Sequence, residues 1–565
     1  MTDSPTATAP FAPVLPDDWR ARVEADLGEA SFEQRLVTRT REGLEVQPLH
    51  DDRTDSGATL ARSGPRWERH EELDAGDIDA ALARLERARR FGIDAVRVRG
   101  GDAAGLTRLL QRARELGLAV HLEDGQEGRV LLSAGVEGGL GLPPRSVTEE
   151  LAAGWREAPG ELRLARASAA RAEERGAGEA LQLAIVLAEG AAWLRRAVDL
   201  GLSVDEADAA LELEVGLGTD LFVEVAKLRA LRLAWGRLAL ACGLEASAPA
   251  ARIHARTSER SWTRRDPWGN ALRGTTIAFA AAVGCADSLV VLPFDERLGH
   301  PDEEALRLAA NTHALLEEES HLAAVDDPAA GSGLVEALTS DLAREAWARL
   351  RRIEELGGLE AAPAREWVEE RIAEVAARDA CEVGRRERGI VGVSLHPALD
   401  EELPVREARE QQREVEALAA PYEALRDRSD AHLASTGSRP AAFLARPGHA
   451  AETRARCGFT QSLLAAGGLT TVQGPATEDL GEIEAAFIES GARIAVLCSS
   501  DERYAELAAP LAAALTGRGA TVVLAGNPGA DEARWSEAGV QYFIHQGCNA
   551  LGVLRQLWKC LEVDA

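Results

Sequence analysis

Apolar positions recur at helical spacing in long stretches of this chain, and short strand-like runs separate them; from about residue 75 the two periods alternate. The spacing predicts a helix over 77–91 leading to a strand over 94–98, and a helix over 103–116 leading to a strand over 119–122. Further strands are expected over 129–133 and 162–165, then two long Ala- and Leu-rich helical stretches over 177–200 and 205–241. Strands resume at Ile253 and over 287–292, around an apolar helix over 267–283. Helices over 303–320, 333–356 and 363–381 and a strand over 389–394 complete this part. Short strands joined by amphipathic helices make a parallel sheet with crossover helices the economical fold. The number of repeats fits a (β/α)8 TIM-type barrel with helical insertions over 51–396.

Before it, 1–50 reads as a loose Pro-rich arm, a short helix over 17–27 stopped by Gly28, and a hairpin over 36–49 around Gly43. Residues 397–437 change character: Pro404 interrupts an acidic segment, a charged helix is expected over 407–415, and the rest reads as a linker. Residues 438–565 form a second α/β unit. Strands are expected at 441–445, 470–473, 493–498, 521–525 and 541–545, alternating with helices, as in a flavodoxin-like, doubly wound domain.

One stretch breaks the apolar pattern. Arg252 to Asn270 carries His254, Arg256, Thr257 and Ser258 along a strand and into a loop. Long polar side chains are rarely buried without partners, so the run points to a lined cavity at the carboxyl end of a barrel strand, where such barrels keep their sites.

The formal net charge of −29 argues against nucleic acid and anionic membrane as partners. Lys227 and Lys559 are the only lysines, which nearly excludes Schiff-base or P-loop chemistry. Seven cysteines without a C-x-x-C pair fit reduced thiols in a cytoplasm. No signal peptide or transmembrane run is read, and no residue is read as a metal ligand.

A barrel followed by a short flavodoxin-like domain resembles the adenosylcobalamin-dependent acyl-CoA mutases. The resemblance is carried by His254-Ala-Arg-Thr-Ser258, Trp262-Thr263, Asp266-Pro267, Asn270, Arg273, Ser288-Leu289, Phe294-Asp295-Glu296, Asn311-Thr312, Glu318-Glu319 and Asp327-Pro328. Glu224 to Ala230 with Trp235 resembles the helix before it. The likeness covers roughly 165–400 and 440–565.

The chain departs from that family at several positions. The family's D-x-H-x-x-G supplies the cobalt-ligating His, the Asp that orients it and a Gly that admits the cofactor tail. Those positions fall on Ala450, Glu452 and Ala455, and a Gly-Gly pair becomes Gly526-Asn527. His449 is read as a loop histidine rather than a cobalt ligand. The family's Tyr-His pair falls on Ala170-Arg171, and an Arg cannot replace a neutral imidazole. The Arg and Ser that hold coenzyme A fall on Ala210 and Glu212, and Val290, Val291 and Leu292 replace a polar lining after Ser288. The family's Tyr segment has only Arg66-Trp67 as a remnant, and the three tyrosines, Tyr422, Tyr504 and Tyr542, lie far away.

Together these losses resemble the small subunits of heterodimeric methylmalonyl-CoA mutases. The resemblance implies a chain that binds no cofactor and no metal and turns over no substrate. It pairs with and stabilises a large catalytic subunit, and that partner carries adenosylcobalamin. On this reading Ala170, Arg171, Ala210, Glu212, His254, Arg256 and Ser288 are remnant barrel-site positions, and Ala450, Glu452, Ala455 and Asn527 are degenerate cobalamin-motif positions. Two alternatives remain open: a catalytically competent homodimeric acyl-CoA mutase using His449 or His545 on cobalt and His254 on the acyl group, or a stand-alone acyl-CoA-sensing protein.

Overall fold

The structure, a computed structural model, describes residues 15–50, 60–123, 128–158, 160–245, 249–409 and 415–562. The arm expected at the start therefore lies mostly outside the described residues. A helix, Pro16–Leu27, and a hairpin of β1 (Thr38–Arg39) and β2 (Glu45–Val46) precede the barrel, as the pattern predicts.

Eight parallel strands close the barrel: β3 (Glu68–Asp74), β4 (Ala95–Arg99), β5 (Ala119–Leu122), β6 (Gly138–Leu142), β7 (Leu162–Ser168), β8 (Leu211–Leu217), β9 (Arg252–Thr257) and β10 (Ser288–Val290). Each pairs with its neighbour, and β10 returns to β3 with Ser288 opposite Glu68. Among the described residues the second unit is a five-stranded parallel sheet of β11 (Ala441–Pro447), β12 (Thr470–Thr477), β13 (Ile494–Leu497), β14 (Thr521–Ala525) and β15 (Val540–Ile544). Its strand order, β12-β11-β13-β14-β15, is one of the two common orders of doubly wound sheets.

Four sequence expectations need correction. Residues 129–133 belong to a helix, Gly128–Ala134; a short apolar run does not distinguish a strand from a buried helix. The strand is β6, whose Gly-Gly-Leu-Gly-Leu sequence has poor strand propensity. Its glycines are there for clearance: Gly141 has φ +63, and a Cβ on it would collide with the Leu122 carbonyl. The expected helix over 205–241 is split into Val204–Ala209, strand β8 and Leu221–Ala241. No strand forms over 389–394, where only an isolated bridge joins Val391 to Leu395. Finally, the expected linker contains a helix, Ala420–Thr436, while 407–409 are irregular and 410–414 lie outside the described residues.

That helix reads as a linker because its anchors are ionic. Arg265 reaches Asp427 (2.7 Å) and Asp430 (2.5 Å), and the Arg264 amide donates to Glu423 (2.5 Å). On its other side, the Tyr422 hydroxyl donates to Val383 O (3.2 Å) and Ser429 Oγ to Gly468 O (2.5 Å). One polar helix thus ties the barrel's β9 loop to the second sheet.

Candidate functional site

The barrel interior inverts the usual arrangement, in which branched apolar side chains fill the layers. On β4, β5, β8 and β9 the apolar residues Val96, Val98, Val120, Leu213, Val215, Ile253 and Ala255 belong to the core around the barrel. The alternate positions are Arg97, His121, Glu212, Glu214, His254 and Arg256, all buried. They meet across the barrel. Arg97 on β4 reaches Glu212 Oε1 on β8 (2.7 Å), and Glu212 also faces His121 Nδ1 on β5 (3.3 Å). His70 on β3 lies between His121 and His254, with ring centroids at 4.8 and 5.2 Å. His254 Nδ1 is 2.8 Å from Ser288 Oγ. Toward the mouth, Arg166 on β7 pairs with Glu214 (3.7 Å).

Buried charges are tolerated here because each has a counter-ion. Burial opposes ionisation of Glu212, yet Arg97 and His121 hold its carboxyl well below the usual range. The imidazoles go the other way: burial pushes His70 down to about 4, and burial together with Arg97 pushes His254 well below its ordinary value.

The carboxyl-end mouth is closed by one guanidinium. Arg256 binds Glu72 from β3, Glu174 from the short helix after β7 (2.7 Å) and Glu259 from the turn after β9 (2.9 Å). Glu174 in turn accepts the backbone N–H groups of Glu259 and Arg260 (both 2.9 Å) and the Ser258 hydroxyl (3.2 Å). Beside this knot, Glu72, Arg97, Glu123, Val290, Val291, Leu292, Glu296 and Arg409 line a cavity with about 50 Å³ of room. That volume holds a few waters.

The sequence-predicted positions fall into three groups. Glu212, His254, Arg256 and Ser288 are brought together in the barrel interior. Ala210 is buried at the end of helix Val204–Ala209, its carbonyl accepting from the amides of Leu164 and Ala165. Ala170 and Arg171 open the short helix Ala170–Glu174 above β7, with Arg171 exposed. The remnant Trp67 lies buried outside the barrel and donates to His313 Nδ1 (3.1 Å). Sequence reasoning missed Glu68, His70, Arg97 and His121. The signal was present as polar residues at alternate positions of short strands, but it reads as an exposed face until the barrel closes.

In the second unit the comparable place is the crevice at the carboxyl ends of β11 and β13, where the strand order reverses. His449 is the N-cap residue of helix Ala450–Ala466 there, and its amide donates to the Glu452 carboxylate (2.8 Å). Its side chain is 73% exposed. Glu452 is also engaged by Arg503 (3.2 Å), whereas Ala450 and Ala455 are exposed. Next to the crevice, the carboxyl ends of β13 and β14 are covered. Tyr504, fully buried, donates its hydroxyl to Leu497 O (2.8 Å) and lies within bonding distance of Ala525 O (2.9 Å). Arg456 stacks over its ring at 4.8 Å and sits beside Gly526. Asn527 is exposed, and its side chain caps the Gly529 amide.

A protein-family model described as methylmalonyl-CoA mutase matches residues 153–441. A methylmalonyl-CoA mutase small subunit from Streptomyces virginiae is 36% identical, with 98% of this chain and 97% of that protein covered. The chain belongs to the methylmalonyl-CoA mutase family. Within it the likeness to small subunits runs end to end. A small subunit from Porphyromonas gingivalis is 27% identical over 96% of this chain and 97% of its own length. The methylmalonyl-CoA mutase of Escherichia coli is 37% identical but covers only 40% of this chain and 31% of its own length. The described residues contain no helix long and apolar enough to cross a membrane.

Proposed function

We propose that this chain is the non-catalytic small subunit of a cytoplasmic, heterodimeric methylmalonyl-CoA mutase. Its role is to pair with and stabilise a large subunit that carries adenosylcobalamin and interconverts (R)-methylmalonyl-CoA and succinyl-CoA. The C-terminal sheet is then a flavodoxin-like, cobalamin-binding-type domain that has lost its ligand motif. Boundaries near 51, 397 and 438 separate the arm, barrel, linker and this domain.

The observation that carries the reading is the filled barrel. Arg97, Arg166, Glu212, Glu214, His254 and Arg256 occupy the interior, and the cavity beside Arg97 has about 50 Å³ of room. An acyl-CoA needs a passage of several hundred Å³. A second support is the crevice of the C-terminal sheet. The residues there do not fit the cofactor: the His449 side chain is 73% exposed at the helix start, Glu452 is held by Arg503, and Tyr504 with Arg456 packs over the neighbouring ends of β13 and β14.

The test is co-expression with a mutase chain that carries an intact D-x-H-x-x-G. The expected result is a 1:1 complex in which the partner is more stable and more active than it is alone. The proposal fails if the two chains do not associate and the partner alone is fully stable and active. A thermal shift of the isolated chain on adding methylmalonyl-CoA would favour an acyl-CoA sensor instead.

A further inference from the structure

At the amino-terminal floor of the barrel, opposite the mouth, Glu68 and His70 of β3 and His121 of β5 each offer a ligand atom, all within 4.8 Å of one another. His70 Nε2 is already 3.2 Å from Glu68 Oε2. Two nitrogens of the surrounding cluster, His70 Nδ1 and His254 Nε2, are buried with no hydrogen-bond partner among the described residues. Orphaned buried polar atoms are costly in a native fold, and the one on His70, a member of the cluster, calls for a partner. The nearest anions are Glu212, 3.3 Å from His121, and Glu214, 4.0 Å from His254. The nearest cations are Arg97, bound to Glu212, and Arg252, bound to Glu68 (2.6 Å).

We propose that this cluster is a structural site for a divalent transition metal of the zinc class, ligated by Glu68, His70 and His121. The donor set decides the class. Two imidazoles and one carboxylate suit Zn²⁺ or Co²⁺ and do not suit Mg²⁺ or Ca²⁺, which take oxygen ligands. Ligands of tetrahedral zinc sit roughly 3.3 Å apart when each is about 2.0–2.1 Å from the metal, so the three donors need only a modest inward rotation. Glu68 supplies that freedom, because its side chain is 34% exposed whereas His70 is fully buried. Glu212 beside His121 orients that ring, as carboxylates do behind metal-bound histidines. Gly139 leaves the space that this ring occupies, since a Cβ there would stand 3.0 Å from His121 Nδ1. The bound ion would tie β3 to β5 across β4, the part of the barrel that lies outside the matched family region.

The experiment is titration of the metal-stripped full chain with Co²⁺, read by its visible ligand-field bands, with thermal unfolding followed in Zn²⁺. The expected result is one equivalent per chain with four-coordinate bands, and a higher Tm in Zn²⁺. Glu68→Gln, at the solvent-facing ligand, and His121→Asn are each expected to lose the bands. A His449→Ala/His545→Ala variant is expected to keep them. Absence of stoichiometric binding overturns the proposal. So do bands that survive Glu68→Gln, or bands that vanish with the two surface histidines. Because Glu68→Gln retains an acceptor for Arg252, it reports on the metal even if His121→Asn does not fold.

Discussion

Arg97 shows how the interior is held. It is fully buried, and Glu212 is its strongest partner. Removing one member of a buried pair leaves an uncompensated charge and costs about 3–5 kcal/mol. Arg97→Met is therefore expected to destabilise the chain by that amount in urea unfolding. Arg97→Met/Glu212→Gln should recover a large part, a coupling that a double-mutant cycle measures. Glu173 carries a pH signature. Burial raises its carboxyl to about 7 from an ordinary 4.5, against the pull of Arg41 and Lys227. The folded state then binds more protons than the unfolded state between those values, so stability falls as pH rises from about 4.5 through 7, and the loss is complete above that window. Glu173→Gln, which keeps an acceptor for Gln182, is expected to flatten this slope. Relative to wild type it should gain stability at pH 8 over pH 5 by an amount on the order of 3 kcal/mol at most, measured by urea unfolding at both pH values. Single positions were unevenly legible in the sequence. His254 and Arg256 stood out because a polar run follows them directly. Arg97 and His121 did not, because their partners are more than a hundred residues away in sequence or on strands that pair only indirectly.

At the scale of elements, legibility followed local pattern. Helices with clean caps were placed closely: Ala103–Leu116 begins after Asp102, whose side chain caps Gly105, and ends at Gly117 in the left-handed region. Strand β8 was hidden because Leu-Glu-Leu-Glu-Val-Gly-Leu fits a helical composition, and only closure of the barrel turns its two glutamates inward. Helix Ala420–Thr436 was hidden because ionic anchors look like linker composition. A double Asp427→Asn/Asp430→Asn change is expected to raise hydrogen exchange across 420–436 while leaving the β3–β10 ladder protected. Equal loosening of both would mean that the helix is integral to the barrel core. Gly141→Ala tests β6, where an Ala at positive φ against a carbonyl is expected to cost at least about 1–2 kcal/mol in unfolding free energy.

For the molecule as a whole, the fold is that of two units, each with its own sheet. A closed eight-stranded barrel and a five-stranded parallel sheet are both present. The barrel interior is occupied by an ion-pair lattice, and the carboxyl ends of β13 and β14 by Tyr504 with Arg456. How completely they are filled depends on rotamers and cross-strand distances, which no single-sequence pattern contains. The most direct measurement is titration of the purified chain with adenosylcobalamin, followed by its visible spectrum. The account predicts no spectral change at any ratio, for the chain itself and equally for His449→Ala. A stoichiometric shift to a histidine-ligated spectrum that His449→Ala abolishes would contradict it.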